Sequence, residues 1–343
     1  MLCIFYWIAS SKFSIFPRND EKSHLIYLIL IIFYLFKMFR KFLLPYIFVV
    51  TFFFAPISEA TKAVKNTPKP PVQTSLVIDA KSGKVLQAHN SQIRIYPASL
   101  TKLMTLYLMF EAIEAGKLPL DKKLLVSAKA SKMPPCKLGL KAGETITVRE
   151  AINGLIIKSA NDAAVTVAEG MKGSEKAFAH LMNVKAKQLG MKNTYFKNAS
   201  GWHDPLQQTT ARDMAKLAMA LKRDYPKFYP LFAKTSFVFR GNVVNGHNRV
   251  TKNYQGAEGM KTGFHTPAGY NLVTTASRNG KSLIAVVTGG KSAASRDQKM
   301  MGLLDQHFNI KPIVPKPSIK LASNSKSTTK AKSKIIKKKN IRS

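Results

Sequence analysis

The sequence predicts an α+β fold: an antiparallel sheet flanked by helices, with an all-helical region in the middle of the chain. Short apolar runs near both ends come in pairs separated by a turn, which is typical of β-hairpins and makes the strands antiparallel. Between these pairs the apolar residues follow helical spacing. The composition, 45% hydrophobic with 19 Gly and 17 Pro in 343 residues, excludes a wholly disordered or collagen-like chain.

Local signals place each element. The first hairpin joins residues 75–79 and 84–88 through Lys81-Ser82-Gly83, and the last joins residues 271–276 and 282–288 through Arg278-Asn279-Gly280. β-Propensity predicts one more strand at residues 235–240. Apolar periodicity, with stop signals such as Gly116 and Gly190, predicts helices at residues 99–115, 148–158, 162–170, 175–189, 211–224 and 295–308.

Residues 1–60 have the features of an export signal. They contain two apolar blocks, and the second follows Met38 and the positive pair Arg40-Lys41 and leads to small residues ending at Ala60. We predict initiation at Met38, with residues 1–37 as an upstream extension of the reading frame, and cleavage after Ala60. The alternative is an uncleaved membrane anchor, although each block is shorter than the roughly 20 apolar residues of a helical span. Both interpretations indicate export to a bacterial periplasm or cell surface.

The rest of the chain divides into a Lys/Pro-rich linker at residues 61–71, one folded domain at residues 72–310 and a tail at residues 311–343 that we expect to be disordered. The net charge is +36, from 54 Lys and Arg against 18 Asp and Glu, and the tail holds 11 basic residues and no acidic one. Such a charge favours anionic partners, among them phospholipid, nucleic acid and carboxylate-rich polymers.

Residue types that bind metals or form disulfides are sparse. The two cysteines, Cys3 and Cys136, exclude a four-cysteine zinc site and a disulfide framework. We expect Cys136, which has no intramolecular partner once residues 1–60 are removed, to be a neutral buried thiol. The seven histidines show no metal-ligand spacing, so no metal site is predicted.

The first of three chemical motifs is Ser99-Leu100-Thr101-Lys102. At positions i and i+3 of a helix, Ser99 and Lys102 lie on one face within reach of each other. The positive end of the helix dipole favours negative charge developing on Ser99. A nucleophilic serine needs a base, and a lysine can serve if its surroundings lower its pKa.

The other two motifs supply the remaining functions of such a site. In Ser159-Ala160-Asn161 the hydroxyl can relay a proton, while the amide can hold a substrate carbonyl and orient Lys102. In Lys261-Thr262-Gly263, at the start of a predicted strand, the ammonium and hydroxyl can bind a carboxylate and Gly263 allows close approach of a substrate backbone. Each motif alone is weak evidence for a catalytic site, because Ser99 and Ser159 could simply cap helices and Lys261 could be one more surface lysine.

Together, in this order and at element boundaries, the motifs are the signature of active-site-serine penicillin-interacting enzymes. The chain closely resembles the serine-type D-alanyl-D-alanine carboxypeptidases, the low-molecular-mass penicillin-binding proteins, from about residue 72 to residue 308. The segments that carry the resemblance are residues 97–105, 158–164, 189–194, 211–214, 259–263 and 268–272. The resemblance implies the fold shared by penicillin-binding proteins and β-lactamases, and no cofactor.

The resemblance also implies a reaction. Lys102, as the neutral amine, would take the proton of Ser99, which attacks the penultimate D-alanine of a peptidoglycan stem pentapeptide to form an acyl-enzyme. Ser159 would pass a proton to the leaving D-alanine, and water would release the shortened stem. Lys261 and Thr262 would hold the terminal carboxylate. β-Lactams, which mimic D-Ala-D-Ala, should acylate Ser99.

Two departures from the family affect the expected site. The backbone N–H groups of Ser99 and Phe264 would form the oxyanion hole by similarity, and better-known members carry His where this chain has Phe264, a change that a backbone donor tolerates. Many members also have an arginine before the third motif that helps hold the substrate carboxylate. Either His247 or Arg249 is the candidate for that role here.

Three alternatives were weighed against a carboxypeptidase. A class A β-lactamase needs a loop glutamate to activate the deacylating water, and no Glu-x-x-Leu-Asn stretch follows Ser159. A DD-endopeptidase that cuts peptidoglycan cross-links would use the same residues, and the motifs do not decide between the two. A catalytically silent basic wall- or membrane-binding protein would have no use for the Ser99–Lys102 pair.

The expected partners follow from export and charge. A nucleic-acid partner would need retention in the cytoplasm, which the signal contradicts. The sequence after residue 308 offers no match to the β-rich domain and amphipathic anchor of many relatives, and the Lys-rich tail has no hydrophobic face. We expect this tail either to adsorb to an anionic lipid or wall surface or to be simply solvated.

Overall fold

The computed structural model describes residues 29–34, 36–37 and 70–310. The chain divides into two compact units, Met1–Thr67 and Pro68–Ser343, and the described residues of the first are helical. The predicted start at Met38, the cleavage after Ala60 and the Lys-rich tail lie outside the described residues. None of the helices within the described part of the chain is long and apolar enough to cross a membrane.

The second unit contains nine strands and eight α-helices among its described residues. The strands are β1 (Thr74–Asp79), β2 (Val85–His89), β3 (Lys123–Leu125), β4 (Thr145–Thr147), β5 (Ser236–Phe239), β6 (Asn242–Asn245), β7 (Ala257–His265), β8 (Gly269–Arg278) and β9 (Lys281–Gly290). The helices are α1 (Lys102–Glu114), α2 (Ala128–Ser131), α3 (Val148–Asn153), α4 (Asn161–Lys172), α5 (Glu175–Gln188), α6 (Ala211–Asp224), α7 (Arg249–Asn253) and α8 (Ala293–Phe308).

Five strands form the central antiparallel sheet, in the order β2-β1-β9-β8-β7. Strand β1 pairs with β9 along its whole length, so the beginning and the end of the domain meet in the middle of the sheet. Strand β7 is an edge strand of this sheet, and its outer edge borders the candidate site. The structure therefore confirms the predicted α+β class.

The alternation of side chains along the strands builds a core on each face of the sheet. Leu76 and Val286 point to one face, where they join the large core formed by helices α1, α4 and α6. Val77 and Val287 point to the other face and pack with Leu304 of α8. Helices therefore cover both faces. The middle of the chain was predicted to be all-helical, and that part of the prediction is wrong, because the two-stranded sheets β3-β4 and β5-β6 lie between its helices.

Most predicted elements are confirmed, with boundaries that differ by a few residues. Helix α6 occupies the predicted range, whereas the predicted helix 148–158 is split into α3 and a π-helical turn at Gly154–Lys158. The short elements β3, β4, β6, α2 and α7 were not predicted, because three to five residues show too little periodicity. Lys261 lies in the middle of β7, so the prediction that its motif begins a strand is wrong.

The core against α1 generates a stability prediction. Phe110 is completely buried, and its ring stacks on Phe228 with centroids 4.8 Å apart. We expect Phe110→Ala to lower the free energy of unfolding by about 3–5 kcal/mol, because the cavity cannot fully collapse between packed aromatic rings. The measurement is urea unfolding followed by circular dichroism. Val238→Ala, at a side chain that is 66% exposed, is the matched control and should shift the midpoint very little.

Candidate active site

The first motif lies where a short 3₁₀ turn, Ala98–Thr101, runs into α1. Ser99 is in that turn, Lys102 is the first residue of α1, and the Lys102 Nζ lies 3.1 Å from the Ser99 Oγ. Ser99 is not at an N-cap position, since Pro97 precedes the turn and Thr101 precedes α1. The capping interpretation of Ser99 is therefore wrong, and its hydroxyl is free to face a cavity.

Lys102 is completely buried, and its Nζ contacts three oxygen atoms. Besides Ser99 it contacts Asn161 Oδ1 at 2.8 Å and the backbone carbonyl of Ser200. Burial, and next the charge of Lys261, hold the pKa of Lys102 well below its usual value. A neutral amine has two N–H donors and one lone pair, so it can donate to Asn161 and Ser200 and accept the Ser99 proton.

The second motif connects the π-helical turn to α4. Ser159 has left-handed backbone angles, φ 62° and ψ 36°, which are uncommon for a residue with a side chain and turn its hydroxyl towards the cavity that Ser99 lines. Asn161 is the first residue of α4, and the cap position belongs to Ala160, which makes no side-chain capping bond. Ser159 therefore does not cap the start of α4, as the alternative interpretation expected, but occupies the C-cap position of the π-helical turn.

Asn161 also holds the loop that follows α2. Its Nδ2 donates to the carbonyl of Pro134 at 3.0 Å, and its backbone N–H donates to the carbonyl of Cys136 at 2.8 Å. The buried carboxylate of Asp162 accepts from the backbone N–H groups of Leu138, Gly139 and Leu140 at 2.9–3.1 Å. Asp162 was not identified from the sequence, although it directly follows a motif residue and acidic residues are scarce in this chain.

The loop places Cys136 at the cavity, and the prediction that its thiol is buried is wrong. Cys136 is half-buried, lines the cavity, and its Sγ lies 3.7 Å from His247 Nε2. The contact with the imidazole lowers the pKa of the thiol below its usual value, and the nearby charges of Lys261 and Lys102 act in the same direction. The prediction was wrong because the residues that place this thiol, Asn161 and His247, are 25 and 111 positions away along the chain.

The third motif lies on the edge strand β7. Lys261 is 2% exposed, its Nζ donates to the carbonyl of Thr262 at 3.1 Å, and burial lowers its pKa to about 7. Lys261 is thus no surface lysine. At Gly263 a Cβ would lie 3.0 Å from the carbonyl oxygen of Pro97 and 3.2 Å from the Ser99 nitrogen. Glycine is needed there so that β7 can approach the turn that carries the serine.

Two further residues hold that turn against the sheet. The Asn271 side chain donates to the carbonyls of Tyr96 and Pro97 and accepts from the N–H of Gly289. Gly201 has a positive φ of 82°, and a Cβ there would lie 2.0 Å from the carbonyl oxygen of Ala98. Neither residue was identified from the sequence, because each acts through contacts with a distant segment.

The family resemblance predicts a cation near the third motif that helps hold the substrate carboxylate. Three residues are candidates for it in the structure. His247 is exposed and lines the cavity. The Arg249 guanidinium instead pairs with Asp297 of α8 at 2.9 Å and does not line the cavity, so Arg249 is not placed for the predicted role. Arg296, which the sequence analysis missed, is 3% exposed, pairs with the same aspartate and lines the cavity.

These elements enclose a cavity with a volume of about 280 Å³. Its lining includes Ser99, Cys136, Ser159, Asn161, Trp202, His247, Thr262, Gly263, Phe264, His265, Tyr270 and Arg296. None of the described lining residues is acidic, which suits a ligand with a carboxylate. Phe264 is half-exposed and stacks on Tyr270 at one wall. Within the described ranges, no three His, Cys, Asp or Glu residues are grouped to hold a metal ion.

Comparisons with known proteins agree with this geometry. The family model described as "Peptidase_S11: D-alanyl-D-alanine carboxypeptidase" matches residues 61–292. D-alanyl-D-alanine carboxypeptidase DacF of Bacillus subtilis is 36% identical over 263 residues, which cover 75% of this chain and 67% of the relative. A D-alanyl-D-alanine endopeptidase of Pseudomonas aeruginosa is 32% identical over 264 residues, 69% of this chain and 81% of the relative.

Among solved structures, penicillin binding protein 5 from Haemophilus influenzae superimposes with a TM-score of 0.67 and 34% identity, covering 71% of this chain and 72% of the other. This similarity confirms the predicted penicillin-binding-protein fold. The family match spans more than half of the chain, and the DacF relative is matched over two thirds of its length. The chain therefore belongs to the Peptidase_S11 family of D-alanyl-D-alanine carboxypeptidases.

Proposed function

We propose that the protein removes the terminal D-alanine from peptidoglycan stem pentapeptides through an acyl-enzyme on Ser99. The observation that carries the proposal is the buried amine of Lys102, 3.1 Å from the Ser99 Oγ at the floor of an electropositive cavity. A lysine with a lowered pKa is a base at neutral pH, and its position beside a hydroxyl activates that hydroxyl as a nucleophile.

In the acylation step, Ser99 Oγ attacks the carbonyl carbon of the penultimate D-alanine while its proton passes to Lys102. The backbone N–H groups of Ser99 and Phe264 are the proposed donors to the oxyanion. The C–N bond then breaks, and the proton reaches the leaving D-alanine amine through Lys102 and Ser159. Water next attacks the ester, which releases the shortened stem and restores the Ser99 hydroxyl.

The terminal carboxylate of the substrate is assigned to Lys261, Thr262 and Arg296. Lys261 and Arg296 are buried cations next to the strand that the substrate would follow, and Thr262 lines the cavity beside them. His247, exposed at the rim, is a further candidate for this contact. Buried cations attract a carboxylate more strongly than exposed ones, because water screens them less.

Cleavage of cross-links is the second candidate function. The endopeptidase of Pseudomonas aeruginosa is similar over most of its length, and an endopeptidase would use the same nucleophile and base. A catalytically silent binding protein is disfavoured, since burying Lys102 without an acidic hydrogen-bond partner among the described residues costs stability and serves no purpose in binding alone.

The first prediction concerns the nucleophile. Ser99→Ala should lower the turnover of disaccharide pentapeptides by a factor on the order of 10⁴ or more, because the hydroxyl that forms the ester is lost. The same substitution should abolish the mass increase that follows incubation with penicillin. Products are measured by mass spectrometry as the loss of one alanine per stem.

Ser131→Ala, away from the cavity, is the matched control and should retain full activity. Splitting of cross-linked dimers by the unmodified protein would move the assignment to an endopeptidase. Equal turnover by the unmodified protein and Ser99→Ala would exclude the proposed mechanism.

The second prediction concerns pH. Lys102 must be neutral to accept a proton, so kcat/KM should fall as the pH drops through its lowered pKa. Lys261, with a pKa of about 7, is charged below that pH and loses its charge above it, so the attraction for the carboxylate should weaken on the alkaline side. In Lys261→Arg the cation persists at every pH, so the alkaline limb should disappear and the acid limb should remain. An alkaline limb that is unchanged in Lys261→Arg would refute the role given to Lys261.

The third prediction concerns export, which we propose from the features of residues 1–60. Protein recovered from a bacterial host should lie outside the cytoplasm and begin at Thr61, as read by N-terminal sequencing. If the Lys-rich tail adsorbs to an anionic surface, the membrane-bound share should fall as salt is raised, since salt screens exposed charges. Retention in the cytoplasm with residues 38–60 intact would contradict the signal-peptide interpretation.

A further inference from the structure

The surface of the protein carries a second groove apart from the active-site cavity. A groove of about 460 Å³ is lined by Arg94, Lys192, Tyr195, Leu206 and Gln208 together with the backbone between them, and we name it the distal groove. Tyr195 is 49% exposed and Leu206 is 62% exposed, so apolar surface is presented to solvent beside two cations. Exposed aromatic and aliphatic groups grouped with charges mark ligand-binding surfaces.

A row of contacting residues connects the distal groove to the active site. A neighbouring cavity of about 210 Å³ shares Arg94 and Gln208 with it and reaches Tyr96. The Tyr96 ring contacts His203 with centroids 5.0 Å apart, and His203 contacts His265, which lines the active-site cavity, with centroids 4.9 Å apart. A row of rings therefore leads from the catalytic cavity to the groove.

The floor of the groove is preformed. Isolated β-bridges join Ile95 to Thr209 and Tyr195 to Gln208, and the Thr194 hydroxyl lies 2.8 Å from that of Thr209. The Thr194 hydroxyl also donates to the buried carboxylate of Asp213 at 2.9 Å. A binding surface on a backbone held in this way loses little entropy when a ligand arrives.

The direction of the substrate points to this groove. Along β7, the proposed carboxylate contacts at Lys261 and Thr262 come first, the proposed oxyanion donor at Phe264 follows, and His265 is last. The acyl part of the stem, which runs towards the glycan strand, must therefore leave past His265. Four extended residues reach about 14 Å, and Arg94, five residues before Ser99, lies within about 18 Å of it.

The cations of the groove are available to a ligand. Neither Arg94 nor Lys192 makes a side-chain hydrogen bond or ion pair with any residue that the structure describes, and both are exposed. Peptidoglycan stems carry free carboxylates close to the glycan, and sugar rings present an apolar face that suits a tyrosine ring. The groove thus combines the two chemistries that the glycan-proximal part of the substrate offers.

We propose that the distal groove binds the glycan-proximal part of the peptidoglycan stem, with Arg94 and Lys192 on its carboxylates and Tyr195 against the first sugar. The proposal rests on the proposed carboxypeptidase function. It makes the protein selective for stems attached to glycan over short free peptides, because only the former are long enough to occupy the groove.

The test compares two substrates that share the cleaved bond. One is a disaccharide pentapeptide, and the other is diacetyl-L-lysyl-D-alanyl-D-alanine, which ends before the groove. For Arg94→Ala/Lys192→Ala we expect kcat/KM on the disaccharide pentapeptide to fall about fivefold, the size expected for two exposed ion pairs, with the short peptide unchanged. Tyr195→Ala should likewise lower kcat/KM on the disaccharide pentapeptide and leave the short peptide unchanged. This difference should persist at high salt, where the charges of Arg94 and Lys192 are screened. Lys84→Ala, an exposed cation at the opposite end of β2, is the matched control.

Equal losses on both substrates would show a structural effect and overturn the proposal, and so would an unchanged rate on the disaccharide pentapeptide. A binding measurement distinguishes a failure of this proposal from a failure of the proposed carboxypeptidase function. In the Ser99→Ala background, the affinity for the disaccharide pentapeptide, measured by titration calorimetry, should weaken about fivefold when Arg94 and Lys192 are removed, whether or not the protein is a carboxypeptidase. An affinity that does not change when Arg94 and Lys192 are removed would refute the proposed role of the distal groove, whatever reaction the protein catalyses.

Discussion

The site depends on keeping an amine buried without an acidic hydrogen-bond partner. Lys102 is fully buried, and the three oxygen atoms around its Nζ belong to a hydroxyl, an amide and a backbone carbonyl. Burial of an ammonium in such surroundings is costly, so the neutral form is favoured. That preference turns a lysine, ordinarily a cation, into a base beside Ser99.

Each of these three oxygen atoms comes from a different part of the fold, and the fold holds each part in place. The Ser99 turn is clamped to the sheet by Asn271 and by the close approach of Gly263. Asn161 begins α4, whose next residue, Asp162, secures the loop across the cavity. Because β7 is an edge strand, the substrate can lie along it without displacing a neighbouring strand.

The buried and the exposed cations of the protein differ in how strongly each can attract a carboxylate. Arg296, which is buried, lines a cavity with no acidic residue in its described lining, and the buried Lys261 lies on β7 beside it. Low screening would make both strong contacts for the carboxylate in the proposed mechanism. Arg94 and Lys192 in the distal groove are exposed, so each would contribute less, but they lie on the path proposed for the glycan-proximal part of the substrate. The basic composition of the chain is thus consistent with a carboxylate-rich polymer as substrate.

The sequence by itself determined the longer helices, the first and last hairpins and the three motifs, because these depend on periodicity, turn residues and spacings of three residues or fewer. The range of α6 and the Ser99–Lys102 pair are examples. Only the tertiary structure decided that Lys102 meets the carbonyl of Ser200, that Cys136 lines the cavity, and that Arg296 and His247 line it while Arg249 does not. Those contacts join residues that are far apart in the chain, by 98 positions for Lys102 and Ser200 and by 111 for Cys136 and His247. Local propensity carries no information about which distant segments meet, since that depends on how the sheet and helices pack.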